Sequence, residues 1–328
     1  MKVRPKRYFP TSDWLEGLPQ NHTLDGAKLL SIRAHVEARL PHVRSIIVAR
    51  NGYIVFEMYR QGFGRDSVLN LASITKSVTA LLAGIVIARG QLSLSDRIVE
   101  RFPGLIDTPD RRAAHITVEH LLNMTAGFDW TDARVAQWRD RQDEPRYPLR
   151  HAMNAEPGAL FNYDTPASHL LSAVLARAAG QSLDTLAEAT LFKPLGIATR
   201  EWEIDAQGFA YAGHGLHLRS RDALKLGLLI MRRGEWQGAQ IVPSAWIDAC
   251  TSTKSAGYPE TFGPYGYLWW LQPVRGHAAA YAAGSGGQFL HVIADLDLVV
   301  LVTSNHDRLH AENKQIVRDF VVPAVLDA

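Results

Sequence analysis

The chain has 328 residues, 47% of them apolar and 21% charged, enough to bury a large core in one domain or two interlocked ones. Its formal net charge of +2 is too small for a nucleic-acid surface, and no apolar run approaches the ~20 residues needed to span a bilayer. A single cysteine, Cys250, excludes an intrachain disulfide framework.

The first residues, MKVRPKRYFPTSDW, are basic but carry neither the apolar stretch nor the small-residue cleavage site of a secretory signal. The expected location is therefore cytoplasmic for the chain as it stands, and periplasmic if a leader has been removed. Val43–Ala49 and Tyr53–Tyr59 are β-rich runs separated by Arg50, Asn51 and Gly52, a hairpin signal. Residues 74–89 place Ile74, Val78, Leu81, Leu82, Ile85 and Val86 at helical spacing and stop at Gly90. The charged run Arg139–Arg146, with Pro145 and Pro148, predicts an exposed loop. A helix is expected from Thr165–Pro166, with Thr165 as its N-cap, through Leu170, Leu171, Val174 and Leu175 to Gly180.

Further helices are expected over Arg221–Arg233, stopped by Gly234, and over Ser244–Cys250, where Cys250 reads as a buried, inert thiol. Strands follow at Gly266–Leu271, Gly287–Ala294 and Leu298–Ser304, the last two joined by the turn-like Asp295–Leu296–Asp297. Ala311–Val325 reads as a terminal helix interrupted near Pro323. Strands at both ends with helices between predict one sheet assembled from the two termini. The α/β domain then comprises residues 1–70 and 250–328, and residues 71–249 form an inserted, mostly helical domain.

Ser73-Ile74-Thr75-Lys76 is the first candidate for chemistry. A serine at a helix start and a lysine three residues on share a face. If that face is desolvated, the ammonium form is disfavoured and the neutral amine can take the serine proton. The plainer alternative is a serine cap with a solvated lysine in the first turn. His115, Glu119 and His120 lack the spacing of a metal-binding helix, and no serine elbow supports a Ser-His-Asp triad. Trp138, Trp269 and Trp270 could shape a pocket, although aromatics at such positions commonly pack. Asp129 could attract an amine, against the default of a solvated loop acid.

The context of Ser73 narrows the choice. The segment Leu69-Asn70-Leu71-Ala72-Ser73-Ile74-Thr75-Lys76-Ser77-Val78-Thr79 resembles the nucleophile segment of the serine β-lactamase and penicillin-binding-protein superfamily. It is most similar to the branch that holds class C-type β-lactamases, related esterases and 6-aminohexanoate-dimer hydrolases. Further matching segments are Gly90–Asp96, Ile116–Gly127, Pro157–Tyr163 and Gly284–Gln288, in the family's order, so the resemblance spans roughly residues 40–305.

The resemblance implies an α/β (α+β) fold: a β-lactamase-like sandwich with an antiparallel sheet, an inserted helical domain and the active site at their interface. It implies Ser73 as the acylated nucleophile, Lys76 as general base and Tyr163 as proton shuttle. The backbone N–H groups of Ser73 and Ser285 would form the oxyanion hole, with Gly284, Gly286 and Trp130 as substrate contacts. Trp130 follows the family-like Asn123–Gly127 loop. Two departures stand out. Thr165 replaces the asparagine of the commoner Tyr-x-Asn pattern, and Ala282-Ala283-Gly284 stands where penicillin-recognising members often have Lys-Thr-Gly or His-x-Gly.

Alanines offer neither a cation nor a hydroxyl to a β-lactam carboxylate. That favours a small ester or amide as the acyl donor, with a β-lactamase or D,D-carboxypeptidase as the rival. A non-turnover penicillin sensor or scaffold is the rival of another class. The expected partner is a small-molecule substrate, with no nucleic acid, membrane span, metal or organic cofactor. The oligomeric state is left open.

Overall fold

Asn51-Gly52 sets the first hairpin. Strands β1 (Val43–Arg50) and β2 (Tyr53–Tyr59) pair antiparallel, and the two turn residues have φ of 55° and 85°, the left-handed pair that a tight hairpin turn requires. The computed structural model describes residues 8–103, 110–131, 134, 152–305 and 310–326. The expected loop Arg139–Arg146, with Pro145 and Pro148, and Trp138 lie outside them.

Six further strands complete the main sheet: β3 (Ser255–Tyr258), β4 (Gly263–Tyr265), β5 (Trp270–Leu271), β6 (Ala280–Gly284), β7 (Gln288–Ile293) and β8 (Leu298–Ser304). Their order is β2-β1-β8-β7-β6-β5-β4-β3, with antiparallel neighbours throughout. Val48 pairs with Val300 and Ile46 with Val302, so the two ends of the chain meet as the second and third strands of the sheet. These runs are buried on both faces, which is why they are rich in valine, isoleucine and leucine. Only the end of the expected strand Gly266–Leu271 pairs, because Leu268 takes a left-handed φ of 57° and breaks the extended run. The short β5 covers only the first part of β6: Trp270 faces Tyr281 and Leu271 faces Ala280, so Ala282–Gly284 continue beyond it.

Helix α1 (Gly26–Arg39) contacts β2 and the chain's last turns. Helix α2 (Ile74–Ala88) is buried from Ile74 to Val86 and ends before Gly90, whose φ is 69°. Helix α3 (Thr165–Ala179) packs on α2 and stops at Gly180 in the left-handed region. Helix α4 (Ser220–Met231) lies across β7 and β8. Gly227 permits the close approach: a Cβ there would sit 2.5 Å from Val299 Cγ1 and 2.9 Å from Leu290 Cδ1. The terminal helix is shorter than expected. After α5 (His310–Ile316), the chain widens to a π turn at Val317–Val321 and tightens to a 3₁₀ turn at Val322–Ala324, where Pro323 has no N–H to continue the ladder. Among the described residues no helix is long and apolar enough to cross a membrane.

Cys250 is buried and free, and burial pushes its thiol well above the ordinary range, which makes it inert. The N-cap of α3 is Asp164, not Thr165. The Asp164 carboxylate accepts the Ala167 N–H at 2.8 Å, which leaves Thr165 as the first helical residue.

Candidate active site

A backbone turn presents Ser73. Ala72 takes a left-handed φ of 47°, unfavourable for any residue with a Cβ, and is held there from both sides. Its N–H bonds the Asn70 side chain at 2.7 Å, and its carbonyl accepts the Thr75 hydroxyl at 2.7 Å. Ser73 then enters α2 at the N-cap position with φ −71° and ψ −3°, and its hydroxyl makes no capping bond. The hydroxyl lies 3.0 Å from the amine of Lys76 instead.

Lys76 is 1% exposed, which removes the alternative of a solvated first-turn lysine. Besides Ser73 Oγ, its Nζ contacts Thr165 Oγ1 at 3.0 Å and the Gly213 carbonyl at 2.8 Å. These partners come from three elements: α2 itself, the first residue of α3, and a strap over Ala212–Leu216. The strap is laced to α2. Thr79 donates to the Ala212 carbonyl at 2.8 Å, and the Leu216 N–H donates to Thr75 Oγ1 at 3.2 Å. The Leu71 N–H closes the line on the Leu216 carbonyl at 2.9 Å.

Sequence reasoning had no place for Gly213. The only signal was the glycine spacing in Tyr211-Ala212-Gly213-His214-Gly215, which marks a loop making a close approach without naming what it approaches. Thr165, read as a cap, is the other omission.

Tyr163 lies against the same amine, with Lys76 Nζ 4.8 Å from the ring centroid. On its far side the ring stacks on Trp270 at 5.6 Å and meets the edge of Tyr265 at 6.3 Å. Burial pushes the Tyr265 phenol well above its ordinary range, so that ring is a neutral wall. Asn162 fixes the segment by donating to the carbonyls of Phe128 and Trp130 at 3.0 and 3.1 Å.

Ser285 is exposed at the turn that follows β6. Gly284 brings that turn against the start of α2: a Cβ there would lie 2.5 Å from the Leu71 carbonyl oxygen and 3.1 Å from Ala72 Cβ. Gly286 and Gly287 have φ of 86° and 84°. The turn is locked by Gln288, which bonds the Ser285 and Ser304 carbonyls at 3.3 and 2.5 Å, and by Asn313, which donates to Gly287 at 3.0 Å. Ser73, Lys76, Tyr163, Gly284 and the strap therefore converge, with Ser285 and Gly286 in the adjoining turn.

The remaining candidates have structural surroundings. Trp130 is buried, and its carbonyl is one of the Asn162 anchors. Trp269 is buried in the core, and Asp129 pairs with Arg134 at 3.3 Å. His120 completes a capping box with Thr117, and no group of histidine, cysteine and acidic side chains suited to a metal occurs among the described residues.

A family model described as Beta-lactamase matches residues 32–320. The 6-aminohexanoate-dimer hydrolase of Paenarthrobacter ureafaciens is 25% identical over 293 residues, covering 80% of this chain and 72% of the relative. Esterase EstB of Burkholderia gladioli is 30% identical over 178 residues, covering 46% of this chain and 44% of the esterase. Among solved structures, a Bacillus anthracis protein provisionally assigned as a 6-aminohexanoate-dimer hydrolase superposes with a TM-score of 0.80 at 18% identity. The match covers 97% of this chain and 88% of that one.

Proposed function

Because the chain belongs to the beta-lactamase family, whose relatives include hydrolases, we propose that it is a serine hydrolase that cleaves a small ester or amide through an acyl-enzyme on Ser73. One observation carries the proposal: a lysine amine almost wholly removed from water stands 3.0 Å from the serine hydroxyl one turn away. In this reading the amine is neutral when Ser73 attacks. It has two N–H groups and one lone pair, and the Gly213 carbonyl can only accept. On the same reading one N–H stays with the Gly213 carbonyl and another with the Thr165 hydroxyl while the lone pair turns to the proton of Ser73.

Lys76 then acts as general base while Ser73 Oγ attacks the carbonyl carbon. Tyr163, in contact with the same amine, passes the proton to the departing alcohol or amine. Water completes the cycle with the relay reversed. The N–H groups of Ser73 and Ser285 receive the negative charge of the tetrahedral intermediate, a role whose loss typically costs about 3–4 kcal/mol. Gly284 supports this assignment, since its missing side chain lets the Ser285 turn close on the start of α2. In this reading Gly286 lets the turn adopt its left-handed step, and Trp130 backs the Tyr163 segment.

The active site sits between the sheet domain of residues 1–70 and 250–328 and the helical insertion of 71–249, with α4 packed on the sheet. Ala282 and Ala283 bring no charge to the site, in keeping with an uncharged ester or amide over a β-lactam. A panel of p-nitrophenyl esters, small amides and nitrocefin tests the proposal. Wild type is expected to turn over esters faster than nitrocefin. Ser73→Ala should lower every activity by about 10³-fold or more, and mass spectrometry of a slow substrate should place the acyl group on Ser73. Fast nitrocefin turnover with negligible ester cleavage, or activity that survives in Ser73→Ala, overturns it.

A further inference from the structure

Beyond Tyr163 the site runs into an aromatic surface that the bond-breaking steps do not use. Phe161, Asn162 and Tyr163 alternate along an extended segment. Asn162 turns to the Phe128 and Trp130 carbonyls, while Phe161 and Tyr163 both turn to Trp270, at 5.8 and 5.6 Å between ring centroids. Tyr258, on the outermost strand β3, stacks on Trp270 at 5.9 Å and meets Phe161 edge-on at 5.0 Å. Trp270, 4% exposed, is the shared floor of these rings, and Tyr163 and Phe161 are half-buried above it, so the aromatic surface runs from the Lys76 amine past Tyr163 and Phe161 to Tyr258.

That surface ends in solvent. Tyr258 is 42% exposed and Leu160, next to Phe161, is 59% exposed, two of the few large apolar side chains left in water among the described residues. Aromatic surface left in contact with water and continuous with a reacting centre is a ready place for an apolar part of a substrate.

We propose that Phe161 and Tyr258 form the subsite for the leaving group, and that the preferred substrate releases an aromatic or bulky apolar alcohol or amine. The assignment rests on the serine-hydrolase reading above. There, the Ser73 Oγ–acyl bond forms and the bond from acyl carbon to the leaving oxygen or nitrogen breaks, and that atom takes its proton from Tyr163. The assignment places whatever is attached to it on the Tyr163 side, over Phe161 and Tyr258. The acyl half lies on the other side, toward Gly284 and the Ser285 turn. The rings offer stacking and edge contacts to a flat group and nothing to anchor a carboxylate.

Two ester series separate the halves of the substrate. One keeps an acetyl group and varies the alcohol from ethyl through cyclohexylmethyl and benzyl to 2-naphthylmethyl, all primary alcohols, which limits differences in leaving-group acidity. The other keeps ethanol and varies the acyl group from acetyl to butyryl to benzoyl. In wild type, kcat/KM is expected to rise about tenfold from ethyl to naphthylmethyl acetate. Tyr258→Ala and Phe161→Leu should each shrink that ratio severalfold, and Phe161→Ala with Tyr258→Ala should flatten it. The ratios within the acyl series should not move.

Because ratios are read, a variant with less folded protein still reports. The subsite is refuted by Ser73-dependent turnover that is indifferent to the alcohol, by a ratio that survives the double substitution, or by a shift in the acyl series instead. Ester turnover that persists in Ser73→Ala, or no turnover of any of these esters or of the corresponding acetamides, refutes the underlying hydrolase reading as well.

Discussion

Thr165 stands one position after the residue that caps its helix, and that single step decides what its hydroxyl does. The Asp164 carboxylate takes the Ala167 N–H, so the Thr165 hydroxyl is available to the Lys76 amine at 3.0 Å. Thr165→Val keeps the shape and the cap but removes that partner. With one hydrogen bond to the proposed base, Lys76, lost, kcat/KM should fall about tenfold, while the melting temperature moves by only a few degrees. A drop in stability without a drop in rate would return Thr165 to a merely structural role. The meeting of Ser73, Lys76 and Tyr163 was legible in the sequence because a three-residue interval fixes a shared helix face and the flanking segments match a family pattern. The role of Thr165 was not. Aspartate and threonine are both good caps, and sequence alone does not say which of two adjacent ones turns inward.

At the scale of elements, the site depends on a strap that has no regular structure from Ala212 to Gly215 and leads into the short strand Leu216–Arg219. α2, α3, the long strands and the Asn51-Gly52 hairpin could be read from periodicity, because their hydrophobic spacing is their packing. The strap could not, since it meets Lys76 through the carbonyl of Gly213, 137 positions away, and a backbone atom carries no residue code. What the sequence records is only the need for a small residue. A Cβ on Gly213 would lie 3.0 Å from both Thr165 Cγ2 and the Thr165 carbonyl, and 3.5 Å from Lys76 Nζ. Gly213→Ala should therefore push the strap a few tenths of an ångström away from α3 and loosen the bond to the amine. The expected cost is about 1–3 kcal/mol of stability and about a tenfold loss in kcat with little change in KM. Steady-state kinetics beside urea unfolding would check it. A rise in KM at constant kcat would mean that the strap touches substrate rather than the base.

The whole molecule is closed by its two ends, and that closure has consequences away from the site. The N-terminal segment is bound onto α4, where Trp14 donates to the Arg221 carbonyl at 2.8 Å and Arg221 pairs with Glu57 of β2 at 2.6 Å. Burial, the largest single influence, would raise the Glu57 carboxyl, yet the hydrogen bonds from Arg221 and Tyr59 and the charges of Arg221 and Arg65 together outweigh it and hold the group below its ordinary range. On the face of β7 that meets α5, His291 is fully enclosed. It stacks on Tyr281 at 5.0 Å, and neither ring nitrogen has a hydrogen-bond partner among the described residues. Burial, and then the charge of Lys314, depress its pKa to about 3.

Lys314 also donates to the Tyr281 hydroxyl at 2.8 Å, and burial lowers its own pKa to about 8, so it stays mainly charged through the acid range. Between an unfolded pKa near 6.5 and the folded value near 3, the unfolded chain binds a proton at His291 that the folded chain refuses. Stability is therefore lost as pH falls through that window, by up to about 1.4 kcal/mol per pH unit for this one group. His291→Phe keeps the stack and removes the proton site, so its advantage over wild type in urea unfolding should grow from pH 7 to 6 to 5. Glu57 and the other carboxylates are common to both proteins and cancel in the difference. An advantage that stays constant with pH would mean that the ring is protonated in the folded state, and with it that water reaches the middle of the sheet.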